Sequence, residues 1–305
     1  MNVTVVGAGV VGLSCAVELE RAGHRVRVLA TRPPAHTTSA VAAAVWFPYQ
    51  VGPVDRVGRW AARTRDRLLA LCGSAEAGVD RLVGYECRGD DAPPWWAVGV
   101  GAVEAAPAPV RGAPPAWRFD APRADSRRFL PWLVSQLRAD IELTQVTALA
   151  DVPGDRVIHC TGLGAATLVG DASLTALRGQ IVVVEPGTIP LDLTFTDDRG
   201  AEPIFYAIPR GDEVVLGGTA EPTTPDDPCV PDDAVTARIL GRCARLGWRP
   251  GPVRVVRVGL RPRRASVRLE VDATDPRIIH NYGHGGAGFT LALGCAEDVA
   301  GLVGA

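Results

Sequence analysis

Val3 to Val6 is a short unbroken apolar run, and the pattern changes immediately after it. Its β-branched side chains suit a strand buried on both faces. Gly7, Gly9 and Gly12 follow, then Leu13 to Arg21 carries a helical pattern that stops at Ala22-Gly23. Arg25 to Leu29 alternates polar and apolar positions, which predicts a second strand. Together these pieces form a βαβ unit with G-x-G-x-x-G at its first turn. Gly7 permits the tight turn, Gly9 admits a pyrophosphate to backbone N–H groups, and Gly12 lets helix and strand pack closely. Ala8, Val10 and Val11 complete the turn. Because a helix N-terminus favours anions, dinucleotide binding is the expectation here.

Beyond the second strand lies a polar loop through Thr37-Thr38-Ser39, then a run of small residues from Ala40 to Ala44. That run reads as a close-packed segment against a cofactor or a sheet. An Arg-rich amphipathic pattern predicts a helix over 55–71, with a solvated polar face. Residues 73–122 read as loop-rich, broken by Pro93-Pro94 and Pro114-Pro115. Asp125-Ser126-Arg127-Arg128 opens a predicted helix that runs to about Arg138. Arg156 to His159 reads as a strand entering the turn Cys160-Thr161-Gly162. Strands are also predicted at 181–185, 213–218 and 253–258, with Pro203 to Pro209 between the first two, and a helix at 233–246. The last segment, Ile278 to Thr290, carries a glycine cluster and runs into a C-terminal helix. We therefore expect an α/β protein with a discontinuous Rossmann-like domain from residues 1–50, 125–180 and 259–305. A mixed β-sheet domain for substrate would come from 51–124 and 181–258.

The chain has 305 residues, enough for two packed units. Its formal net charge of −2 gives no basic excess for nucleic acid or an anionic membrane. No apolar run is long enough to span a bilayer, and no charged leader precedes the first strand. All 32 basic residues are arginine, so lysine is excluded as nucleophile or Schiff base. Seven cysteines without C-x-x-C spacing suggest buried thiols, no metal site and a reducing cytoplasm.

The usual ribose-binding acid after the second strand is replaced by Thr31 and Arg32, which leaves NADP open. The second glycine cluster, Gly283-His284-Gly285-Gly286-Ala287-Gly288, favours a flavin instead. Such a ring gathers negative charge on reduction and is stabilised by a helix N-terminus, here the one beginning near Phe289 and Thr290.

These motifs resemble the D-amino-acid oxidase family. The resemblance rests on the N-terminal Val-Val-Gly-Ala-Gly-Val-Val-Gly-Leu-Ser, on Thr37-Thr38-Ser39, Pro48-Tyr49 and Cys160-Thr161-Gly162. Arg178-Gly179-Gln180, Tyr206 to Gly218, Arg268-Leu269-Glu270 and His280 to Gly286 extend it along the chain. It implies FAD and oxidation of a D-amino acid to its imino acid, with O2 reduced to peroxide. By position, the resemblance assigns the substrate carboxylate to Arg268, with Tyr206 assisting, and the substrate amine to the Gly286 carbonyl. Gly7, Gly9, Gly12, Thr37, Thr38, Val146, Thr161 and Thr290 match flavin contacts. Val45, Phe47 and Ile208 match an apolar side-chain pocket, and Glu202 stands where some members place a lid tyrosine. Arg261 and Arg264 read as surface or structural residues.

Neutral substrates are expected, with D-aspartate poor. Glycine, sarcosine or D-aspartate oxidation remains open, as do a NADP-dependent dehydrogenase and a flavin-binding sensor without turnover. The assembly is not legible, and a homodimer is the working expectation.

Overall fold

The structure, a computed structural model, describes residues 1–100, 102–110, 112–199 and 203–304. From the N-terminus it forms β1 (Asn2–Val6), α1 (Val10–Arg21), β2 (Arg25–Ala30), α2 (Thr38–Val41) and α3 (Val54–Ala70). Then come β3 (Val79–Cys87), β4 (Glu104–Ala106), β5 (Ala116–Ala124), α4 (Ser126–Ser135), β6 (Ile141–Leu143), β7 (Arg156–His159) and α5 (Ala165–Leu168). The next run is β8 (Thr175–Val184), β9 (Leu193–Asp197), β10 (Phe205–Arg210), β11 (Glu213–Gly217), β12 (Glu221–Thr223) and α6 (Asp233–Arg245). β13 (Val253–Val271), β14 (Ile278–His284) and α7 (Gly288–Gly304) close the chain.

The strands form one mixed sheet ordered β4-β5-β3-β9-β10-β11-β8-β13-β14-β7-β1-β2-β6, with β12 against β8. From β14 through β7, β1 and β2 to β6 every pair is parallel. That portion is the Rossmann-like half. β1 at its centre is a buried, near-continuous apolar run, as a parallel strand covered on both faces should be, while β2, nearer the edge, alternates at its start. Leu13, Cys15, Ala16 and Leu19 of α1 are buried with Leu291, Ala292, Cys295 and Val299 of α7 in the main core. The other half is largely antiparallel. One of its faces packs Val182, Val184, Val214, Leu216, Phe195 and Phe205 against Val235, Ile239 and Cys243 of α6.

The long β13 joins the two halves. Residues Val253 to Arg263 pair with β8, and Arg263 to Val271 pair with β14, with an irregularity between Arg263 and Arg268. A strand ending at 258 was expected, because Arg261-Pro262-Arg263-Arg264 sets charges on both faces and hides the alternation. The region expected to be loop-rich contains β3 and β5, nine residues each, in continuous antiparallel register. Pro93-Pro94 and Pro114-Pro115 fall between those strands, while Pro122 lies within β5.

The boundary expected at residue 51 also moves. α3 docks on α7, where Trp60 Nε1 donates to Asp298 at 2.7 Å and Gly294 N donates to Thr64 Oγ1 at 2.9 Å. That helix therefore belongs with the Rossmann-like half. All seven cysteines are free thiols. No helix of the described residues is long and apolar enough to cross a membrane.

A Cβ on Gly294 would overlap the backbone of Trp60. Gly294→Ala should therefore destabilise the protein by about 1–3 kcal/mol, the usual cost of overpacking. Urea denaturation would measure it, and an unchanged midpoint would contradict the docking of α3 on α7.

Candidate active site

The parallel strands deliver their C-terminal ends to one edge. Residues 7–12 follow β1, 31–39 follow β2, Val146 follows β6, 160–162 follow β7 and 285–290 follow β14. That edge is where open α/β sheets bind ligands. Every residue expected to touch a cofactor lies along it.

Backbone contacts shape the cradle. Gly7 has φ +120°, and a Cβ there would overlap the Cys160 carbonyl. A Cβ on Gly12 would overlap the Gly7 carbonyl. Gly9 caps α1 without a side chain, no acid stands in the first turn, and Ser39 Oγ accepts from Val10 N at 3.0 Å. The positive end of α1 is thus left to an anion. Gly288 opens α7 with its Cβ position 3.6 Å from Val10 Cγ1, so the second glycine cluster meets the first. Thr290 Oγ1 donates to the Phe47 carbonyl at 2.9 Å and accepts from Phe47 N at 3.1 Å. Thr37, Thr38 and Ser39 start α2 after the β2 loop, while Thr31 and Arg32 are exposed beside it. Val146 packs with Val6 and Leu29, and Phe289 is buried. His284 Nε2, at the end of β14, is buried without a hydrogen-bond partner. A bare helix N-terminus, glycine backbones and an orphaned polar atom at one strand edge fit a dinucleotide.

Tyr206 lies over Gly217 and Gly218, and a Cβ on Gly217 would overlap its ring. Arg261, in the β8-paired part of β13, reaches across Gly179, and its Nη1 donates to the Thr219 carbonyl at 2.6 Å. A Cβ on Gly286 would sit 3.1 Å from Tyr49 Cδ1 and 3.5 Å from Arg261 Cδ. Burial raises the Tyr49 phenol, and Arg261, Asp198 and Tyr206 act on it through their charges. Arg261, Tyr49, Tyr206 and Gly286 therefore form one group. Among the described residues Arg261 has no carboxylate partner.

Arg268 stands elsewhere. Beyond the irregularity in β13 it pairs with β14, where its guanidinium bonds Glu270 at 2.8 Å and Tyr282 Oη at 3.0 Å. Asp272 lies a further 3.7 Å away. Tyr282 in turn donates to Asp171, which also holds Arg264 at 2.9 Å. The structure thus satisfies Arg268 within an ion-pair network and does not join it to Tyr206. The two arginines separate because β13 changes partner between them. The signal in the sequence was Gly179 of Arg178-Gly179-Gln180, a glycine that makes room for Arg261.

Val45 and Ile208 pack with Tyr206, Ile181, Val183 and Val215. Phe47 meets Trp96 at 5.6 Å and Phe119 at 6.3 Å between ring centroids. Glu202 lies outside the described residues. Sequence reasoning missed Glu86. It shares a row with Thr196 and Tyr206 across β3, β9 and β10, and its Oε2 is buried without a partner. Burial, with the Asp198 charge, pushes its carboxyl up to about 8, against a Trp96 hydrogen bond that lowers it.

Residues 2–302 match the sequence profile described as FAD dependent oxidoreductase. The chain belongs to that family. It is an enzyme, FAD is its cofactor, and the expected α/β fold and oxidoreductase class stand. It is 41% identical over 318 residues to a D-amino-acid oxidase of Rubrobacter xylanophilus, covering 99% of this chain and 95% of that one. It is 39% identical over 311 residues to a D-amino-acid oxidase of Streptomyces coelicolor, covering 99% and 96%. Its fold superposes on a glycine oxidase from Bacillus cereus with a TM-score of 0.79 at 18% identity, over 99% of this chain and 94% of the other.

Glu86 gives the site a pH signature. Its folded value, about 8, lies above the ordinary 4.5, so the folded state keeps a proton that the unfolded chain releases. Its favourable contribution is complete below 4.5 and is lost as pH rises through about 8. Glu86→Gln should therefore lose less thermal stability than the parent between pH 6 and pH 9. Equal losses in melting temperature would show that Glu86 is not held as a buried acid.

Proposed function

We propose that this chain oxidises D-amino acids, neutral ones preferred, to imino acids that water converts to 2-oxo acids and ammonia. The Arg261 group carries the reading: a cation with no carboxylate partner among the described residues, beside two tyrosines and a glycine backbone, at the edge where the cofactor cradle ends. The names of the two bacterial relatives support the substrate class.

In this reading the planar guanidinium of Arg261 takes the substrate carboxylate through two parallel N–H bonds. The Tyr206 hydroxyl adds a third donor, and Tyr49 packs beside Gly286. The Gly286 carbonyl accepts from the substrate amine. Val45, Ile208 and Phe47 surround an apolar side chain. This apolar lining leaves a second carboxylate unpaired, which makes D-aspartate a poor substrate. These contacts hold the α-hydrogen in one direction, and that orientation is the protein's contribution to the rate. FAD, held by the glycine turns after β1 and β14, would supply the two-electron oxidation, with O2 as the final oxidant and hydrogen peroxide as its product. The seven free thiols favour a cytoplasmic location.

Removing one partner of a buried charge pair costs about 2–5 kcal/mol, or roughly thirtyfold to several-thousandfold in kcat/KM. Arg261→Ala should show that loss on D-alanine in a peroxide-coupled assay while retaining its flavin spectrum. Arg261→Lys should remain poor, because an ammonium cannot reproduce the two parallel bonds. Arg268→Ala should stay within a few-fold of the parent, about what loss of a partly exposed ion pair produces. The reverse ranking would return the carboxylate site to Arg268.

A further inference from the structure

Two histidines outside the substrate group form an uninterrupted chain from Asp272 to the turn after β7. His280 Nε2 lies 2.9 Å from Asp272 Oδ2, His280 Nδ1 lies 2.9 Å from His159 Nδ1, and His159 Nε2 lies 2.7 Å from Thr161 Oγ1. Both rings are fully buried. Burial, with the His280 and Arg268 charges, lowers His159 to about 3, and burial lowers His280 despite the Asp272 hydrogen bond. Both imidazoles are therefore neutral near pH 7, and each carries one ring proton.

The direction of this chain is set at its outer end. Asp272 is an anion held by Thr274 N at 2.8 Å, Thr274 Oγ1 at 2.6 Å and Asp275 N at 3.0 Å. With the Arg268 guanidinium 3.7 Å away, it has no proton to give. His280 must then donate from Nε2, which leaves its Nδ1 bare. His159 must carry its proton on Nδ1, since two bare or two protonated nitrogens at 2.9 Å would repel. Its Nε2 is left bare and accepts the Thr161 O–H. The hydroxyl's single proton is now committed, and only its lone pairs face outward.

We propose that Asp272, His280 and His159 are positioning residues that fix Thr161 as a hydrogen-bond acceptor toward the cofactor. Thr161 then receives a hydroxyl or N–H of FAD, such as one on its sugar-alcohol chain or ribose, and does not bind a phosphate oxygen or a carbonyl. This rests on the reading of residues 160–162 as part of the cradle.

The test is long-range 1H–15N correlation of the histidine rings in 15N-labelled holoprotein, with His159→Asn used for assignment. The expected spectrum shows the Nδ1–H form of His159 and the Nε2–H form of His280. The Nε2–H form of His159 would overturn the proposal. Titration of apoprotein with FAD, followed by flavin fluorescence, supplies the second arm. Thr161→Val should weaken FAD by about three- to tenfold, the worth of one hydrogen bond. Thr161→Ser should restore it. Asp272→Asn lets the chain reverse, so it should also weaken FAD, and the double variant should bind no worse than Thr161→Val alone. Multiplying losses would contradict a single relay. A parent protein that binds no flavin would instead refute the cofactor reading, whatever the tautomers show.

Discussion

Backbone contact between β1, α1 and the turn after β7 is the constraint on which the rest of the molecule depends. Gly12 against the Gly7 carbonyl and Gly7 against the Cys160 carbonyl leave no room for a single Cβ. This closeness brings the first N–H groups of α1 to the strand edge. It also brings the turn carrying Thr161 to that edge. Gly288 then lays the start of α7 beside Val10, so opposite ends of the sequence share one cradle. A helix dipole acts over about its first turn, so an anion gains from it only when backbone can approach this closely.

The second organising element is β13, which begins in the antiparallel half and finishes against β14. Its early part holds Arg261 opposite β8, where small residues at Gly179 and Gly286 leave the guanidinium room. Its late part holds Arg268 among Glu270, Asp272 and Tyr282. One strand thus carries two arginines in different surroundings. The first has no carboxylate partner among the described residues, and the second bonds a network that includes Asp272 of the histidine chain.

The cradle was legible because each glycine sits where a strand must turn tightly or a backbone must come close. Local spacing alone reports such needs. The arginine assignment was not legible in the same way. Arg261 and Arg268 stand seven residues apart in a run of like charges, and only the change of pairing partner distinguishes them. Residues 73–122 misled for another reason. Two proline pairs fall between β3 and β5, and a ladder of nine residues depends on partners 29 to 45 positions away. Glu86 was missed because a lone acid in a strand reads as solvated. Its burial comes from Trp96 and the strands folded over it. The match of His159 to His280 likewise joins residues 121 positions apart.

We propose that the two glycine clusters, which meet where Gly288 lies against Val10, build one site for a dinucleotide flavin. Heating the purified protein and chromatographing the released chromophore tests this most directly. FAD at one molecule per chain is the expected result, because the N-terminus of α1 suits the pyrophosphate that FMN lacks. Release of FMN, or of no flavin from protein expressed with ample riboflavin, would contradict it.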